Sequence, residues 1–247
     1  MREQRTTVDV TFDGVEYEAF ADETVMHAAR RLGVPIPSLC YLEGLSVWGG
    51  CRMCVVQVAE DHRLRPACAT TVAPDMEIKT RTPQLRAHRK ALTELLFAEG
   101  NHVCAVCVSN GNCELQDVAV ETGMDHVRFD YQAPRREVDA SHPKYVFDPN
   151  RCILCTRCVR VCDEIEGARV WDIAYRGAQA ELVSELGKPW GESQSCTWCG
   201  KCVVVCPTGA LAYQGTAVGE MEHDAGMIVR LASARQRGEW LDPAEMR

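Results

Sequence analysis

Fifteen cysteines in 247 residues are the side chains of this sequence best suited to chemistry, and their spacing sorts them into groups. Cys196-x2-Cys199-x2-Cys202-x3-Cys206-Pro207 puts three thiolates on one tight loop, where they reach three corners of an iron-sulfur cubane. The fourth, opening a helix, points away toward a neighbouring cluster. The same run, Cys152-x2-Cys155-x2-Cys158-x3-Cys162, occurs 44 residues earlier, an internal repeat of one small cluster-binding unit. Exchange of the fourth cysteines assigns Cys152, Cys155, Cys158 and Cys206 to one [4Fe-4S] cluster, and Cys162, Cys196, Cys199 and Cys202 to another. Cys162 is followed by Asp163 and not by proline, which keeps the ligand set and alters the helix start. Structural zinc is the competing reading of any Cys-x2-Cys pair, but zinc takes four thiolates per site and has no use for a repeated run with exchanged fourths.

Upstream, Cys40-x10-Cys51-x2-Cys54-x13-Cys68 offers four thiolates for a [2Fe-2S] cluster, with zinc or free buried thiols as the alternatives. Gly49 and Gly50 in that loop allow backbone amides to approach the sulfides. Between the two regions stand only Cys104, Cys107 and Cys113, so a third cubane there needs a ligand of another type, and His102 is nearest. Four four-coordinate sites then use all fifteen cysteines and one histidine, with none left over. The alternative is solvent or a three-iron cluster at the His102 position. His27, His62, His88, His126, His142 and His223 lie away from the cysteine groups in sequence and read as ordinary surface or core residues. Arg52, Arg151, Arg157 and Lys201 are near enough to influence cluster potentials, with ordinary surface cations as the plainer reading. Trp48 and Trp198 sit inside cluster loops, to shield or simply to pack.

The elements that must hold these loops are readable in part. Thr6 to Phe20 alternates like two half-buried strands around an Asp13-Gly14 turn. Asp22 then reads as the cap of a helix from Thr24 that stops at Gly33. Val55–Ala59 and Met76–Thr80 read as further strands, completing a small mixed sheet crossed by one helix over about residues 5–80. Pro83 to Glu99 reads as a helix with Leu85, Leu92, Leu95 and Leu96 on one side and Arg86, His88, Arg89 and Lys90 as a solvated basic face, or else a docking face for an acidic partner. Glu114 to Thr122 extends the cysteine loop as a short helix ending at Gly123. Residues 125–143 read as a linker, and the stretch from Gly215 carries one helix around Ile228–Arg237 and no recognisable chemistry.

Composition supports an ordinary globular chain, 46% hydrophobic and 25% charged, yet aromatics make up only 6%. Large rings dominate core burial, so part of the stability is expected from something other than apolar packing, and the cysteines are the obvious candidate. A net charge of −8 disfavours nucleic acid. The first residues lack an apolar signal region and nowhere do 18 apolar residues run together, so a cytoplasmic protein without a membrane span is expected. In that reducing compartment cysteines are metal ligands and not a disulfide frame.

In the order Cys40, Cys51, Cys54, Cys68, then Asn101-His102-Val-Cys104-Ala-Val-Cys107-Val-Ser-Asn-Gly-Asn-Cys113-Glu-Leu-Gln, then the doubled run, the chain resembles the iron-sulfur diaphorase subunit of soluble NAD-reducing nickel-iron hydrogenases. It is also similar to the N-terminal region of the large peripheral subunit of complex I, of NAD-dependent formate dehydrogenases and of iron-only hydrogenases. Where the wider family usually has three residues between the histidine and the next cysteine, Val103 alone intervenes, a form that looks like the soluble-hydrogenase branch. The resemblance implies an α+β chain: a β-grasp [2Fe-2S] ferredoxin-like domain over 1–80, a small helical His/Cys [4Fe-4S] domain over 81–124, a linker over 125–143, a two-cluster bacterial ferredoxin domain over 144–214 and a tail over 215–247. It implies one [2Fe-2S] and three [4Fe-4S] clusters and no catalytic residue, so the chain is part of an oxidoreductase without its own substrate site. No Gly-x-Gly-x-x-Gly fingerprint and no phosphate-binding loop occur, so FMN and NAD belong to a partner diaphorase subunit. The remaining partners implied are the hydrogenase small and large subunits, with formate dehydrogenase or a complex I-like enzyme as the alternative setting.

Overall fold

The computed structural model describes residues 5–58 and 63–239. Strand β1 (Thr7–Phe12) turns through Asp13 and Gly14, both at positive φ, into β2 (Val15–Phe20), the two pairing antiparallel with Phe12 opposite Val15. Helix α1 (Val25–Arg31) follows. Its cap is Thr24, whose hydroxyl accepts the His27 N–H at 3.2 Å, and not Asp22, which is drawn off to Arg5 at 2.7 Å. Strands β3 (Val55–Val58), β4 (Leu64–Pro66) and β5 (Met76–Lys79) complete a sheet in the order β2-β1-β5-β3-β4, parallel only between β1 and β5. β4 has no alternation to betray it; its three residues are strand because β3 offers them a ladder. The buried Val10, Phe12, Val56, Val58 and Ile78 of this sheet pack on Val25, Met26, Ala28 and Ala29 of α1.

Helix α2 (Pro83–Glu99) begins with Thr82 capping the Leu85 N–H and proline in its first turn, where a helix's N–H groups have no intrahelical acceptor and a missing one costs nothing. Its faces differ from the expected ones. Leu95 is 40% exposed, and Arg89, expected in a solvated basic stripe, is 6% exposed. Its guanidinium donates to the carbonyls of Met53, Thr80 and Val55 at 3.2, 3.0 and 2.9 Å, so this helix is pinned by a cation to the start of β3 and the end of β5. Helix α3 (Glu114–Thr122) ends at Gly123 in the left-handed conformation.

The rest of the chain is a pseudo-repeat. Strand β6 (Tyr145–Phe147) leads to the short helix α4 (Arg157–Arg160), which runs on as a π-type turn over Val161–Glu166. The hairpin of β7 (Trp171–Ala174) and β8 (Glu181–Ser184) intervenes. Helix α5 (Lys201–Val204) and β9 (Leu211–Tyr213) follow, β9 pairing antiparallel with β6. Finally α6 (Ala225–Arg237), capped by Asp224, starts three residues before the expected helix. It lies against the first unit: a side chain at Gly44 would meet the Ala232 Cβ at 2.5 Å. The stretch read as a linker is free of regular structure only in part. Asp139 bridges Phe147 and accepts the Trp190 N–H, and His142 is buried.

Two of the three apolar clusters cross the sequence units. Leu39 and Met53 of the first pack with Cys113, Leu115 and Val118 of the second, and Leu42 and Leu45 join Tyr145, Phe147 and Ile228. Replacing Arg89 by leucine strands three buried carbonyls and is expected to cost on the order of 3–5 kcal/mol, read as a lowered denaturation midpoint. Arg86→Leu, one turn away and exposed, is expected to stay within about 0.5 kcal/mol of the parent; equal losses would refute the stapling role.

Candidate metal centres

The loop elements bring the sixteen expected donors into four places. In the first, the sulfurs of Cys54 and Cys68 lie 3.5 Å apart, and Cys40 and Cys51 face each other closely enough to share a proton. That shared proton pushes Cys40 up and pulls Cys51 down to about 5; Cys68 is raised and Cys54 lowered by the same kind of pairing. Cys40, Cys54 and Cys68 are buried and Cys51 half-buried. Four sulfurs in such proximity repel one another once ionised, which suits a cationic iron core between them. Gly50 lies against the Trp48 indole, which leaves no room for a side chain, so packing of Trp48 accounts for this glycine.

The second place is a small space lined by His102, Cys104, Cys107 and Cys113, with Arg151 and Gly209 in its wall. A Cβ on Gly209 would come within 2.6 Å of the Cys107 sulfur. The His102 ring leans on Phe97 at 5.1 Å, and its Nε2 is buried without a hydrogen-bond partner. Burial, with the Arg151 guanidinium next, pushes this imidazole down to about 4, so it is neutral at pH 7 with a lone pair to give. A buried nitrogen that bonds to nothing in the protein, beside three thiols, fits a metal ligand. Cys113 is raised to about 11 by burial.

The third space is lined by Cys152, Cys155, Cys158 and Cys206. Burial pushes Cys152 up to about 12, Cys155 up to about 11 and Cys158 well above the usual thiol range. These thiols sit in a dry enclosure that favours them protonated until metal replaces the proton. In the fourth place burial first, and then the neighbouring sulfurs of Cys196 and Cys199, raise Cys162 and Cys202, and the Val170 N–H donates to Cys162 at 3.4 Å. Cys199 is the one exposed cysteine of the donor set and Trp198 beside it is 44% exposed, so this group reaches the surface. The fourth cysteines thus stand beside the opposite repeat. Among the described residues no three His, Cys, Asp or Glu side chains converge on one point as a single ion would need.

The repeat extends to the backbone. Leu154 and Trp198 both have positive φ, as do Thr156 and Gly200, two pairs each 44 residues apart. This turn aims an amide back at the loop's own sulfur: the Leu154 N–H donates to Cys152 at 3.4 Å.

Of the cations expected to act on potentials, Arg52 is exposed, Lys201 pairs with Glu166, and Arg151 pairs with Asp148 at 3.0 Å while facing the His102 space. Arg157 is 2% exposed and structural: it grips Glu114 and donates to the Tyr41 carbonyl at 3.0 Å. Two histidines depart from their expected place among ordinary residues. Nε2 of His142 lies 3.9 Å from the Cys196 sulfur, and His223 meets Ser109, in the wall of the His102 space, at 3.0 Å. The segment around His223 also bonds the cysteine loop through Gly219 N–H to Cys107 and Met221 N–H to Val108, so the tail covers that loop. No local pattern announces either contact, since the partners are 54 and 114 residues apart. His27 and His126 are exposed and His88 half-buried; His62 lies outside the described residues.

Three family models match consecutive parts of the chain: a 2Fe-2S iron-sulfur cluster binding domain over residues 5–83, the NADH-ubiquinone oxidoreductase-G iron-sulfur binding region over 89–128, and the ferredoxin-like domain of NADH-quinone oxidoreductase subunit 3 over 143–212. An NADH-quinone oxidoreductase subunit of Rhizobium meliloti is 38% identical over 208 residues, 83% of this chain and 24% of that protein. The chain thus spans about a quarter of the first curated relatives it matches, the NADPH-Fe(3+) oxidoreductase alpha subunit of Geobacter sulfurreducens among them. The gamma subunit of the NAD-reducing hydrogenase HoxS of Cupriavidus necator is 35% identical over 83% of this chain and 86% of its own length. A chain of the NAD+-reducing [NiFe]-hydrogenase crystal structure in the H2-reduced state superimposes with a TM-score of 0.79 at 34% identity, covering 86% of this chain and 89% of the other. With near full-length coverage of that HoxS gamma chain and of that structural neighbour, the chain belongs to the family of iron-sulfur subunits that hydrogenases of this type share with the NADH-quinone oxidoreductases.

Proposed function

We propose that this chain is the electron-transfer subunit of a cytoplasmic NAD-reducing hydrogenase, relaying single electrons between an FMN- and NAD(H)-binding diaphorase subunit and the small and large subunits of a nickel-iron hydrogenase. The observation that carries this reading is the gathering of fifteen cysteines and one histidine into four donor groups within a chain matched over 86% of the HoxS gamma chain. Among the described residues no helix is long and apolar enough to cross a membrane. The layout is a β-grasp unit over 1–80, a His/Cys unit over 81–124, a connection over 125–143, a doubled ferredoxin unit over 144–214 and a tail.

Cys40, Cys51, Cys54 and Cys68 hold a [2Fe-2S] cluster; His102, Cys104, Cys107 and Cys113 hold one [4Fe-4S]; Cys152, Cys155, Cys158 and Cys206 hold the second; Cys162, Cys196, Cys199 and Cys202 hold the third. Bound there, the clusters supply one-electron storage and transfer. The protein's part is to fix the donors, to keep water from the enclosed groups and to hold the groups in a constant mutual arrangement. His102 serves as neutral ligand because its burial keeps it deprotonated. Backbone amides at Leu154 and Val170 steady the sulfurs they face. The 38% identity to an NADH-quinone oxidoreductase subunit supports a second setting, the same wire in a complex I-like enzyme, with a formate dehydrogenase as the further alternative.

Protein purified without oxygen is expected to contain about 14 iron and about 14 labile sulfide per chain; zinc without sulfide would refute the cluster reading. The native complex that co-purifies is expected to reduce NAD with hydrogen as sole donor in a flavin-dependent way, and turnover with formate but not hydrogen would transfer the subunit to the other setting. His102→Ala is expected to lose or alter one cubane's paramagnetic signal and up to about four irons, with His102→Cys restoring the iron. Unchanged iron and unchanged reduced spectra in the alanine variant would exclude the histidine as ligand.

A further inference from the structure

His142 is the one histidine outside the donor set whose ring nitrogen faces a donor sulfur among the described residues. It is 1% exposed, in a box of aromatic rings: Tyr145 stacks on it at 4.7 Å, Trp190 leans on it at 4.9 Å and Trp198 at 4.7 Å. Its backbone is held as well, its carbonyl accepting from the Gln214 amide at 2.6 Å. The Tyr145 hydroxyl donates to the Trp198 carbonyl at 2.8 Å, so the same box fixes the loop between Cys196 and Cys199.

The proton on this imidazole can be placed from its partners. Nδ1 accepts the Lys144 backbone N–H at 3.1 Å, which is possible only if Nδ1 carries no hydrogen. The ring is therefore the tautomer with its hydrogen on Nε2, and Nε2 is the atom 3.9 Å from the Cys196 sulfur. We infer that His142 donates a hydrogen bond from Nε2 to Cys196 and thereby raises the reduction potential of the cluster held by Cys162, Cys196, Cys199 and Cys202. The inference rests on the ligand assignment proposed above. Reduction adds a negative charge that spreads onto the ligating sulfurs, and a fixed N–H dipole aimed at one of them stabilises the reduced form more than the oxidised one. The contact matters at this group because Cys199 is exposed and Trp198 is 44% exposed, so the His142 ring joins the Val170 N–H on Cys162 as a fixed donor to a group that also faces solvent. His142 touches no iron; it is a positioning residue that works through Cys196.

Two variants separate the donor from the packing. In His142→Asn the shorter amide keeps an acceptor for the Lys144 N–H and loses reach to Cys196, whereas in His142→Gln an amide N–H can extend to the sulfur. EPR-monitored redox titration of the intact, anaerobically prepared complex is expected to show one cubane in His142→Asn whose reduced-to-oxidised ratio at fixed poise falls about tenfold, ~59 mV for a one-electron couple. The other clusters are expected not to move, and His142→Gln is expected to restore most of the shift. Full iron content with no cubane shifted in His142→Asn overturns the inference. Should the asparagine variant fail to assemble that cubane, pulsed EPR on parent protein labelled with 15N at histidine Nε2 decides. A weak coupling to a cubane other than the one directly bound by His102 is expected, and its absence overturns the inference. If the parent holds fewer than three cubanes, it is the ligand assignment that fails.

Discussion

Two guanidinium groups, Arg157 and Arg160 at the two ends of α4, hold the three units of this chain in one arrangement. Arg157 carries the Glu114 carboxylate of the His/Cys unit and the Tyr41 carbonyl of the first unit on the same fork. Arg160 donates to the carbonyls of Cys40, Ser46 and Cys155 and to the Thr156 hydroxyl. Cys40 and Cys155 belong to different donor groups, so one side chain spans the backbone of both. Burial of a cation is costly unless its hydrogen-bonding capacity is met. Burial pushes Arg160 down, and at Arg157 the same burial is more than offset by Glu114, which holds its pKa above the ordinary value. Arginine suits this role where lysine does not, since its planar fork serves several acceptors at once and stays charged in the interior. Arg89 on α2 repeats the device, tying the second unit to the first sheet. A relay of fixed centres needs such rigidity more than it needs a large apolar core, and the scarcity of aromatic residues is consistent with that division of labour.

What could be read in the sequence was whatever chemistry writes into short spacing. The hairpin around Asp13-Gly14, α2 over Pro83–Glu99 and α3 over Glu114–Thr122 follow from turn residues, caps and periodicity within a dozen or so positions, and the doubled cysteine run follows from its loops of two or three residues. The unread part is long-range. Arg89 looks like one more cation in a solvated stripe because the carbonyls that bury it come from residues 53, 55 and 80. Arg157 is indistinguishable in sequence from a surface arginine, its partner Tyr41 being 116 residues away. Asp22 was a better cap by type than Thr24, but the helix starts at Val25, two residues too far on for Asp22 to cap, and its carboxylate pairs with Arg5 instead. His142 sits in a polar, proline-bearing stretch that reads as linker, and only the distant Trp190 and Trp198 make it interior.

The doubled run shows how a repeat becomes a junction by diverging. Its loops retain the same backbone, with left-handed residues at Leu154 and Trp198 and at Thr156 and Gly200. Holding leucine, threonine and tryptophan in that conformation costs about 1 kcal/mol or more each, which is tolerable where the turn directs amides toward sulfur. The difference lies after the fourth cysteine. Following Cys162, Asp163 continues the helix as a π-type turn and pairs with Arg169. Following Cys206, proline cannot continue a helix, and the chain leaves with the Pro207 carbonyl free to accept the Glu114 N–H at 3.0 Å and to face the Cys113 sulfur at 3.4 Å. Glu114 is also the residue Arg157 grips. The proline of one repeat and the arginine of the other therefore meet at the first residue of α3, so the His/Cys group takes its position from both halves of the doubled unit. An aspartate in place of Pro207 would leave the cysteine ligands in sequence and still remove the turn that presents this carbonyl, which explains why the two repeats cannot be identical in a chain that must also seat a third group between them.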